Sequence, residues 1–483
     1  MYPFQDLQPE AIWHYFYEIC QVPRPSKKEG KIIAYLQDFA QKHHLEVAQD
    51  RTGNVLIKKK ASAGFENRST IVLQSHIDMV CEKNSDTKHD FLKDPIQPVI
   101  EGEWVKAKGT TLGADDGIGM AAQLALMAAD NIPHGPLECL FTVDEETGLT
   151  GAFGLEPNFI SGSTLINLDS EDEGEIFIGC AGGIDTVGQF TPQYEAPSKG
   201  SFAFKVEVSG LTGGHSGDDI HKGLGNAIKI LTRYVWDATQ ELEFRLASFQ
   251  GGNLRNAIAR EASATGVVPS RYKEEVRVLL NCFIADLEEE FKDVEPRLKL
   301  HLESTELPEQ VFTKDFHTAF VATLYTLPHG VMGMSREIEG LVETSTNLAS
   351  VKTAGDHMVV STSQRSSIES IRNQVAAMVE AAFTLGGASV KHSDGYPGWA
   401  PDTRSAILKQ SVDSYQKLFK TEPQVKAIHA GLECGLFLKK YPGLDMISIG
   451  PTIKGAHSPD ERLHIPTVTK FWDHLLDILE QNA

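Results

Sequence analysis

The sequence predicts an α/β protein in which a mostly parallel-sheet domain is interrupted by an inserted α+β domain. Three observations support this fold class. Short apolar runs alternate with amphipathic segments up to about residue 185, the pattern changes near residue 190, and the first pattern returns near residue 400. At roughly 100–200 residues per domain, the 483-residue chain is also too long for a single core.

The first part of the chain alternates between predicted helices and predicted buried strands. Residues 9–20 and 28–43 carry apolar side chains at helical spacing, and residues 117–130 form an Ala-, Leu- and Met-rich helix with Asp115 or Asp116 as its cap. Short apolar runs typical of strands buried on both faces lie at residues 71–73, 137–143 and 164–168. Strands that alternate with helices favour a mostly parallel sheet.

A polar, proline-containing segment at residues 191–200 marks the start of a different pattern. The elements predicted after it are a half-exposed strand at 202–208, a helix near 223–240, a strand at 276–283, an acidic helix at 287–294 and a helix at 366–384. A helix at 405–419 and a buried strand at 446–450 then resume the first pattern. We therefore expect one domain built from residues 1–188 and 398–483, with residues 189–397 inserted into it. The sequence shows no internal repeat.

Charge and composition exclude several classes of partner. The chain has 45 Lys+Arg and 66 Asp+Glu, a net charge of −21, so phosphate surfaces would repel it. We expect no nucleic acid partner and no membrane partner, since no stretch approaches 18 apolar residues and the first residues lack signal-peptide features. The six cysteines form no CxxC pair. These features favour a reducing cytoplasm.

Acidic and histidine side chains follow the predicted strands. They are His76 and Asp78, the pair Asp115–Asp116, the run Asp144–Glu146, Asp169 and, after the last strand, His457. In an open parallel sheet, ligands bind beyond the carboxyl ends of the strands, so we expect these residues to converge there. Each position alone is more often a turn residue or a helix cap, but five such positions together are improbable by chance.

Crowded carboxylates of this kind favour bound cations, because like charges repel and raise one another's pKa. Imidazole suits zinc, and carboxylate bridges suit two-metal sites with ions roughly 3.5–4 Å apart. His76 and Asp78 are two residues apart on an extended segment, so one can bind a metal while the other orients it. Glu145 and Glu146 are adjacent and point apart, which suits the separate roles of base and ligand.

These motifs resemble metallopeptidase family M20. The resemblance is carried by residues 75–78, 112–117, 144–148 and 167–169, by the late His457 and by the glycine-rich run 210–217 in the inserted domain. Within the family, the chain length and residues 429–435 resemble the branch of aminoacyl-histidine (Xaa-His) dipeptidases, also called cytosol nonspecific dipeptidases.

The resemblance implies two zinc ions per subunit, for which Co²⁺ or Mn²⁺ can substitute. It assigns His76 and Asp169 to one ion, Glu146 and His457 to the other, and Asp115 as the bridge between them. Asp78 would orient His76, and Glu145 would act as general base.

In the inserted domain, which the family uses as a lid, the resemblance implies substrate-binding roles for His215, Asn256 and Arg365. These would bind the substrate carboxylate and stabilise the oxyanion, and Gly431 would lie beside the substrate in the catalytic domain. The lid also implies a homodimer.

The resemblance implies that the function is hydrolysis of unblocked dipeptides by a di-zinc enzyme, in the cytoplasm that the composition favours. It also implies Xaa-His dipeptides, including β-alanyl-histidine, as substrates. A tripeptidase or an N-acyl amino acid deacylase on the same scaffold is the nearest alternative. A non-catalytic metal-binding protein is a more distant one.

Overall fold

The computed structural model describes residues 2–481, which form two compact units. The first unit runs to Gly179 and resumes over Trp399–Ala427 and from Leu432 onward. The second unit comprises Cys180–Gly398 and Ile428–Gly431. Among the described residues, no helix is both long enough and apolar enough to cross a bilayer.

Groups of helices and groups of strands follow one another along the chain. Up to residue 180 they are α1 (Glu10–Cys20), α2 (Gly30–Lys42), β1 (Glu46–Gln49), β2 (Val55–Lys59), β3 (Ile71–His76), β4 (Pro98–Glu101), β5 (Trp104–Ala107), α3 (Ala114–Ala128), β6 (Leu137–Thr142), α4 (Glu145–Gly148), α5 (Thr150–Gly154), β7 (Thr164–Asn167) and β8 (Glu175–Cys180).

Residues 182–392 contain β9 (Gly182–Phe190), β10 (Tyr194–Glu195), β11 (Ser201–Ser209), α6 (Ala227–Leu242), β12 (Arg245–Gly252), β13 (Ala262–Pro269), α7 (Lys273–Phe291), β14 (Lys299–Ser304), β15 (Val311–Phe312), α8 (Lys314–Thr326), β16 (Gly330–Met334), β17 (Val342–Ala354), β18 (His357–Ser366), α9 (Glu369–Leu385) and β19 (Ser389–His392). The last part contains α10 (Ala406–Phe419), β20 (Gln424–Ile428), α11 (Glu433–Lys440), β21 (Asp445–Ser448), β22 (Ile453–Lys454), β23 (Arg462–His464) and α12 (Ile465–Gln481).

The main sheet of the first unit has the strand order β1-β2-β6-β3-β7-β21-β8-β20. Its four central strands, β6, β3, β7 and β21, are parallel, whereas β1, β2 and β8 pair antiparallel. Every residue of β3 and β6 is buried, as their apolar runs indicate. The predicted α/β class is confirmed, and its parallel part is the centre of this sheet.

Helix α3 begins three residues earlier than predicted, and its first turn is irregular. Gly113 precedes it with φ 70°, and both Asp115 and Asp116 have non-helical backbone angles. The Asp116 carboxylate accepts a hydrogen bond from the Gly119 N–H (3.1 Å), the usual contact of a helix cap. Asp116 therefore caps the regular part of the helix, and the Asp115 carboxylate is left for other contacts.

The second unit contains a duplicated topology that the sequence did not show. Its large sheet has the order β14-β11-β13-β12-β17-β18-β9-β19, with β16 beside β17. The halves β11-α6-β12-β13-α7-β14 and β9-α8-β17-β18-α9-β19 have the same element order and mirrored strand order. They join where Gly251 and Gly252 of β12 pair with Val351 and Ser350 of β17. The first half is inserted between β9 and α8 of the second, which interrupts the repeat along the chain.

The predicted strand at 276–283 is wrong, because these residues lie within helix α7. The buried side chains of this helix are Val276, Leu280, Phe283 and Leu287, which follow one another at steps of three and four residues. A short apolar run does not by itself distinguish a buried strand from a helix. Of the acidic helix predicted at 287–294, residues 287–291 are the last part of the same helix, which ends at Phe291.

Candidate metal centre and substrate-binding cluster

One group of candidate ligands forms at the carboxyl ends of β3 and β7. His76 is the last residue of β3, and its Nε2 lies 2.9 Å from Asp115 Oδ1 and 3.4 Å from Asp169 Oδ1. The side chain of His76 is 1% exposed, and those of Asp115 and Asp169 are largely buried. One imidazole nitrogen and two carboxylates therefore face one another inside the first unit.

A second group forms on the other side of Asp115. His457 lies in the loop after β22, and its Nε2 is 3.1 Å from Asp115 Oδ2 and 3.0 Å from Glu146 Oε2. Asp115 thus contacts a different histidine with each carboxylate oxygen. The two groups of three, each with ligand atoms within 4.8 Å of one another, share this one residue.

The donor set fits divalent metal ions. Imidazole nitrogens and carboxylate oxygens are ligands of zinc, and a shared carboxylate is the usual bridge of a two-metal site. Glu146 Oε1 is also buried and has no hydrogen-bond partner among residues 2–481, so it is a donor atom that the protein leaves unused. The residues present therefore fit two ions on either side of Asp115.

Burial and the neighbouring charges shift the pKa values of the residues in this cluster. Burial raises the pKa of Asp169 to about 7 and that of Glu145 well above its ordinary value. Although burial also acts on Asp115, hydrogen bonds from His457 and His76 bring its pKa below the usual range. Hydrogen bonds with Asp115 and then Glu146 raise the pKa of His457 to about 11. Without cations, protons on the imidazoles carry the balancing charge, and a metal ion replaces those protons when it binds neutral histidine.

Asp78 lies behind His76 and connects it to helix α4. Its Oδ1 is 3.4 Å from His76 Nδ1 and accepts a hydrogen bond from the Glu145 N–H (3.0 Å). Its Oδ2 accepts from the Glu146 N–H (3.3 Å) and from the Ser26 hydroxyl (2.8 Å). Asp78 therefore holds the start of α4 and lies at the Nδ1 edge of the imidazole. The Glu145 carboxylate lies in one group with His76 and Glu146.

Two residues that the sequence analysis missed hold the backbone around Asp115. The Glu461 carboxylate accepts hydrogen bonds from four consecutive N–H groups, those of residues 112–115, at 2.7–3.3 Å. The buried Arg24 guanidinium donates to the carbonyls of Ile77 and Asp78 at 3.0 and 2.5 Å and to that of Gly113. Glu461 stands four residues after His457, a weak signal, whereas nothing in the sequence around Arg24 indicates its role.

In the second unit, the predicted substrate-binding residues Arg365 and Gly431 meet on Tyr396. Arg365 lies on β18, is 8% exposed, and donates from Nη1 to the Tyr396 hydroxyl (3.1 Å). A Cβ at Gly431 would lie 2.7 Å from the Tyr396 ring, so only glycine fits there. Gly431 was expected in the catalytic domain, but residues 428–431 belong to the second unit, where Gly431 lies against Tyr396. Tyr396 was not predicted as a site residue.

His215 and Asn256 lie on two loops of the second unit that bond to each other. The Ser216 N–H donates to the Asn256 carbonyl (2.8 Å). His215 Nδ1 is 3.2 Å from Asp218 Oδ2 and faces the N–H groups of Gly217 and Asp218. Because these contacts all use Nδ1, Nε2 is the ring atom left for a ligand. A Cβ at Gly217 would lie 2.2 Å from the His429 carbonyl oxygen, so this loop packs against the segment that carries Gly431.

Comparison with known proteins gives consistent results. The model of peptidase family M20/M25/M40 matches residues 72–481. The cytosol non-specific dipeptidase of Escherichia coli (strain K12) is 45% identical over 481 residues, which cover 100% of this chain and 99% of the relative. The crystal structure of aminoacylhistidine dipeptidase from Vibrio alginolyticus matches with a TM-score of 0.94 and 47% identity, over 99% of this chain and 98% of that chain.

A more distant solved structure shares the fold. A tripeptidase from Staphylococcus aureus matches with a TM-score of 0.57 and 16% identity over 99% of each chain. Together, the matches confirm the family and the branch that the motifs resemble.

The shared position of Asp115 predicts a distinctive pattern of metal binding. We expect the metal-free protein to bind two Zn²⁺ ions and Asp115→Ala to weaken both binding steps. Asp169→Ala and Glu146→Ala should each weaken one step by roughly tenfold or more. Removal of a group that only orients a ligand already lowers metal affinity by about tenfold, so loss of a ligand should cost at least as much. Calorimetric titration with Zn²⁺ measures the steps separately, and Asp460→Ala, an exposed acid in the same loop as His457, is the control. Loss of one step alone in Asp115→Ala would contradict a shared ligand.

Proposed function

We propose that this member of peptidase family M20/M25/M40, a metallopeptidase, is a dipeptidase with two zinc ions in the first unit. The observation that carries the proposal is the position of Asp115, whose two oxygens face His76 and His457 at 2.9 and 3.1 Å. His76 and Asp169 would hold one ion and Glu146 and His457 the other, with Asp115 between them. Co²⁺ or Mn²⁺ would be accepted by the same nitrogen and oxygen donors.

Glu145 is proposed as the general base. Bound divalent ions supply Lewis acidity, which lowers the pKa of water and polarises the scissile carbonyl. The Glu145 carboxylate would take a proton from the attacking water and return it to the leaving amine. Burial raises the pKa of Glu145 well above its ordinary value, which strengthens the carboxylate as a proton acceptor. Asp78 holds the Glu145 N–H and so limits movement of this base.

Recognition of the substrate carboxylate is proposed for the second unit. Arg365 presents a planar guanidinium whose Nε is buried and has no hydrogen-bond partner among the described residues. A guanidinium of this kind matches a carboxylate with two parallel hydrogen bonds. Asn256 would add neutral hydrogen bonds, and Gly431 would lie beside the substrate. His215 would donate from Nε2 to the oxyanion, a contact that typically contributes a factor of roughly 10²–10³ in turnover.

Dipeptides with a free carboxylate are the proposed substrate class, with Xaa-His dipeptides, including β-alanyl-histidine, among them. The names of the relatives from Escherichia coli and Vibrio alginolyticus, which both contain the word dipeptidase, support this class. Tripeptides and N-acyl amino acids are the competing substrates, because the same hydrolytic groups could act on them.

A panel of substrates tests this proposal directly. We expect hydrolysis of free dipeptides, including Xaa-His, and little hydrolysis of tripeptides, N-acyl amino acids and dipeptide amides, as measured by amine release. Removal of metal by a strong chelator should abolish the activity, and added Zn²⁺ should restore it. Arg365→Ala should raise KM for free dipeptides far more than for dipeptide amides, because only the former have the carboxylate. Preferred cleavage of acylated amino acids would overturn the dipeptidase assignment, and activity indifferent to the chelator would overturn metal-assisted hydrolysis.

Substitution of the two adjacent glutamates should separate base from ligand. Glu145→Gln keeps the shape of the side chain but cannot accept a proton, so we expect unchanged zinc content and a loss of kcat of roughly 10²–10⁴-fold. Glu146→Gln should instead lower zinc content. Metal analysis and steady-state kinetics on the same preparations give both quantities. Wild-type kcat in Glu145→Gln would exclude Glu145 as the base.

A homodimer through the second unit, in the cytoplasm, completes the proposal. The family resemblance supports the dimer, and the net charge of −21 argues against lipid or nucleic acid partners. Light scattering should give a mass near twice that of the 53.0 kDa chain. A mass of one chain at micromolar concentration would contradict the dimer without affecting the metal centre.

A further inference from the structure

A layer of buried polar side chains lies directly beneath the candidate metal ligands. Gln74 on β3, Thr142 on β6 and Asn167 on β7 are all fully buried. Each stands two residues before an acid or histidine of the strand-end clusters, namely His76, Asp144 and Asp169. Gln74 and His76 are two residues apart on β3 and therefore point to the same face. Thr142 and Asn167 are the last residues of β6 and β7, so the polar layer lies at the strand ends that lead into the candidate ligands.

Glu433, the first residue of α11, ties this layer together. Its Oε2 accepts hydrogen bonds from Gln74 Nε2 (2.6 Å) and from the Thr142 hydroxyl (2.7 Å). Gln74 Nε2 also lies 3.1 Å from Thr142 Oγ1, and Asn167 Nδ2 donates to Gln74 Oε1 (2.6 Å). The three strands are therefore linked side chain to side chain at the level just below their ends.

Stability alone does not explain this arrangement. A buried carboxyl is costly, and replacing buried polar groups by apolar groups of similar shape is often neutral or stabilising. Glu433 is 1% exposed, and its Oε1 has no hydrogen-bond partner among residues 2–481. The rest of these strands is largely apolar, so an apolar layer would continue the core. Buried polar side chains that interrupt an otherwise apolar core occur mainly at functional sites.

We propose that Glu433 is a positioning residue of the metal centre. By holding Gln74 and Thr142, it sets the relative positions of the ends of β3 and β6, and through Asn167 that of β7. These ends carry His76, the Asp144–Glu146 segment and Asp169. Among residues 2–481, Glu433 forms no hydrogen bond or ion pair with a candidate ligand, although its charge interacts with those of His76 and Asp169. The proposed positioning acts through the hydrogen bonds of the polar layer.

Three variants separate positioning from general stability. Glu433→Ala removes the acceptor, and Glu433→Gln keeps a carbonyl oxygen that can accept the same two hydrogen bonds without the charge. Glu138→Ala is the matched control, because Glu138 is a buried acid on β6, the strand that carries Thr142, and it accepts hydrogen bonds from Ser161 and Gly162 near the opposite end of that strand. If Glu433→Ala does not fold, Thr142→Val removes one donor to Glu433 and keeps the side-chain shape.

The measurements are Co²⁺ titration of the metal-free full-length protein against a competing chelator, the Co²⁺ absorption spectrum, steady-state kinetics and thermal unfolding. We expect Glu433→Ala to weaken Co²⁺ binding, alter the spectrum and lower kcat by roughly 10–100-fold, with little change in KM. Glu433→Gln should restore most of this loss. Glu138→Ala should lower the melting temperature and leave Co²⁺ binding and kcat unchanged.

Several results would overturn the proposal. Wild-type Co²⁺ binding in Glu433→Ala, or in Thr142→Val should Glu433→Ala not fold, would show that the layer does not position the ligands. If Glu433→Gln and Glu433→Ala lose Co²⁺ affinity and kcat equally, the effect is due to the charge of Glu433. If Glu433→Ala and Glu138→Ala lose them equally, the effect is due to the stability of the sheet. The kinetic part rests on the proposed function. If the wild type hydrolyses no dipeptide, that function fails, whereas the Co²⁺ measurements still decide the role of Glu433.

Discussion

The candidate metal centre depends on a single carboxylate that faces two histidines. Asp115 links His76, which ends a buried strand, to His457, which lies in a loop 342 residues after Asp115. Because the two groups of candidate ligands share this side chain, a shift of Asp115 would disturb both. The irregular first turn of α3 is what makes the position possible, since Asp116 caps the regular helix and leaves the Asp115 carboxylate free of that role.

The surroundings of Asp115 keep this crowded cluster in place. Glu461 binds four successive backbone N–H groups before and at Asp115, and Arg24 binds the carbonyl of Gly113 next to them. Gly113 has no room for a side chain, because a Cβ would lie 2.6 Å from the Arg24 guanidinium. Together with Asp78 behind His76 and the polar layer under the strand ends, these contacts surround the candidate ligands with charged and polar groups. Such surroundings reduce the movement of ligands that repel one another.

The second unit combines a repeated scaffold with a local cluster of polar residues. Its two βαββαβ halves build one continuous sheet, and the loops of the first half carry His215 and Asn256, whereas Arg365 lies on the second. Tyr396 joins Arg365 to Gly431 through a hydrogen bond on one side and ring contact on the other. A cluster assembled from both halves can place donors at several points around a small ligand, which suits recognition of a carboxylate.

The sequence by itself determined the fold class and the family, because both follow from local signals: apolar runs with the periodicity of strands and helices, and motifs placed at strand ends. It was insufficient where local signals are ambiguous, as at residues 276–283, where one apolar run fits a strand and a helix equally well. Only the tertiary structure decided which residues support the cluster. The contacts of Arg24 with Gly113, of Glu461 with Asp115 and of Glu433 with Gln74 span 89, 346 and 359 residues. Hydrogen bonds between such distant positions leave no periodic pattern in the chain, since they exist only after the sheet has brought its strand ends together.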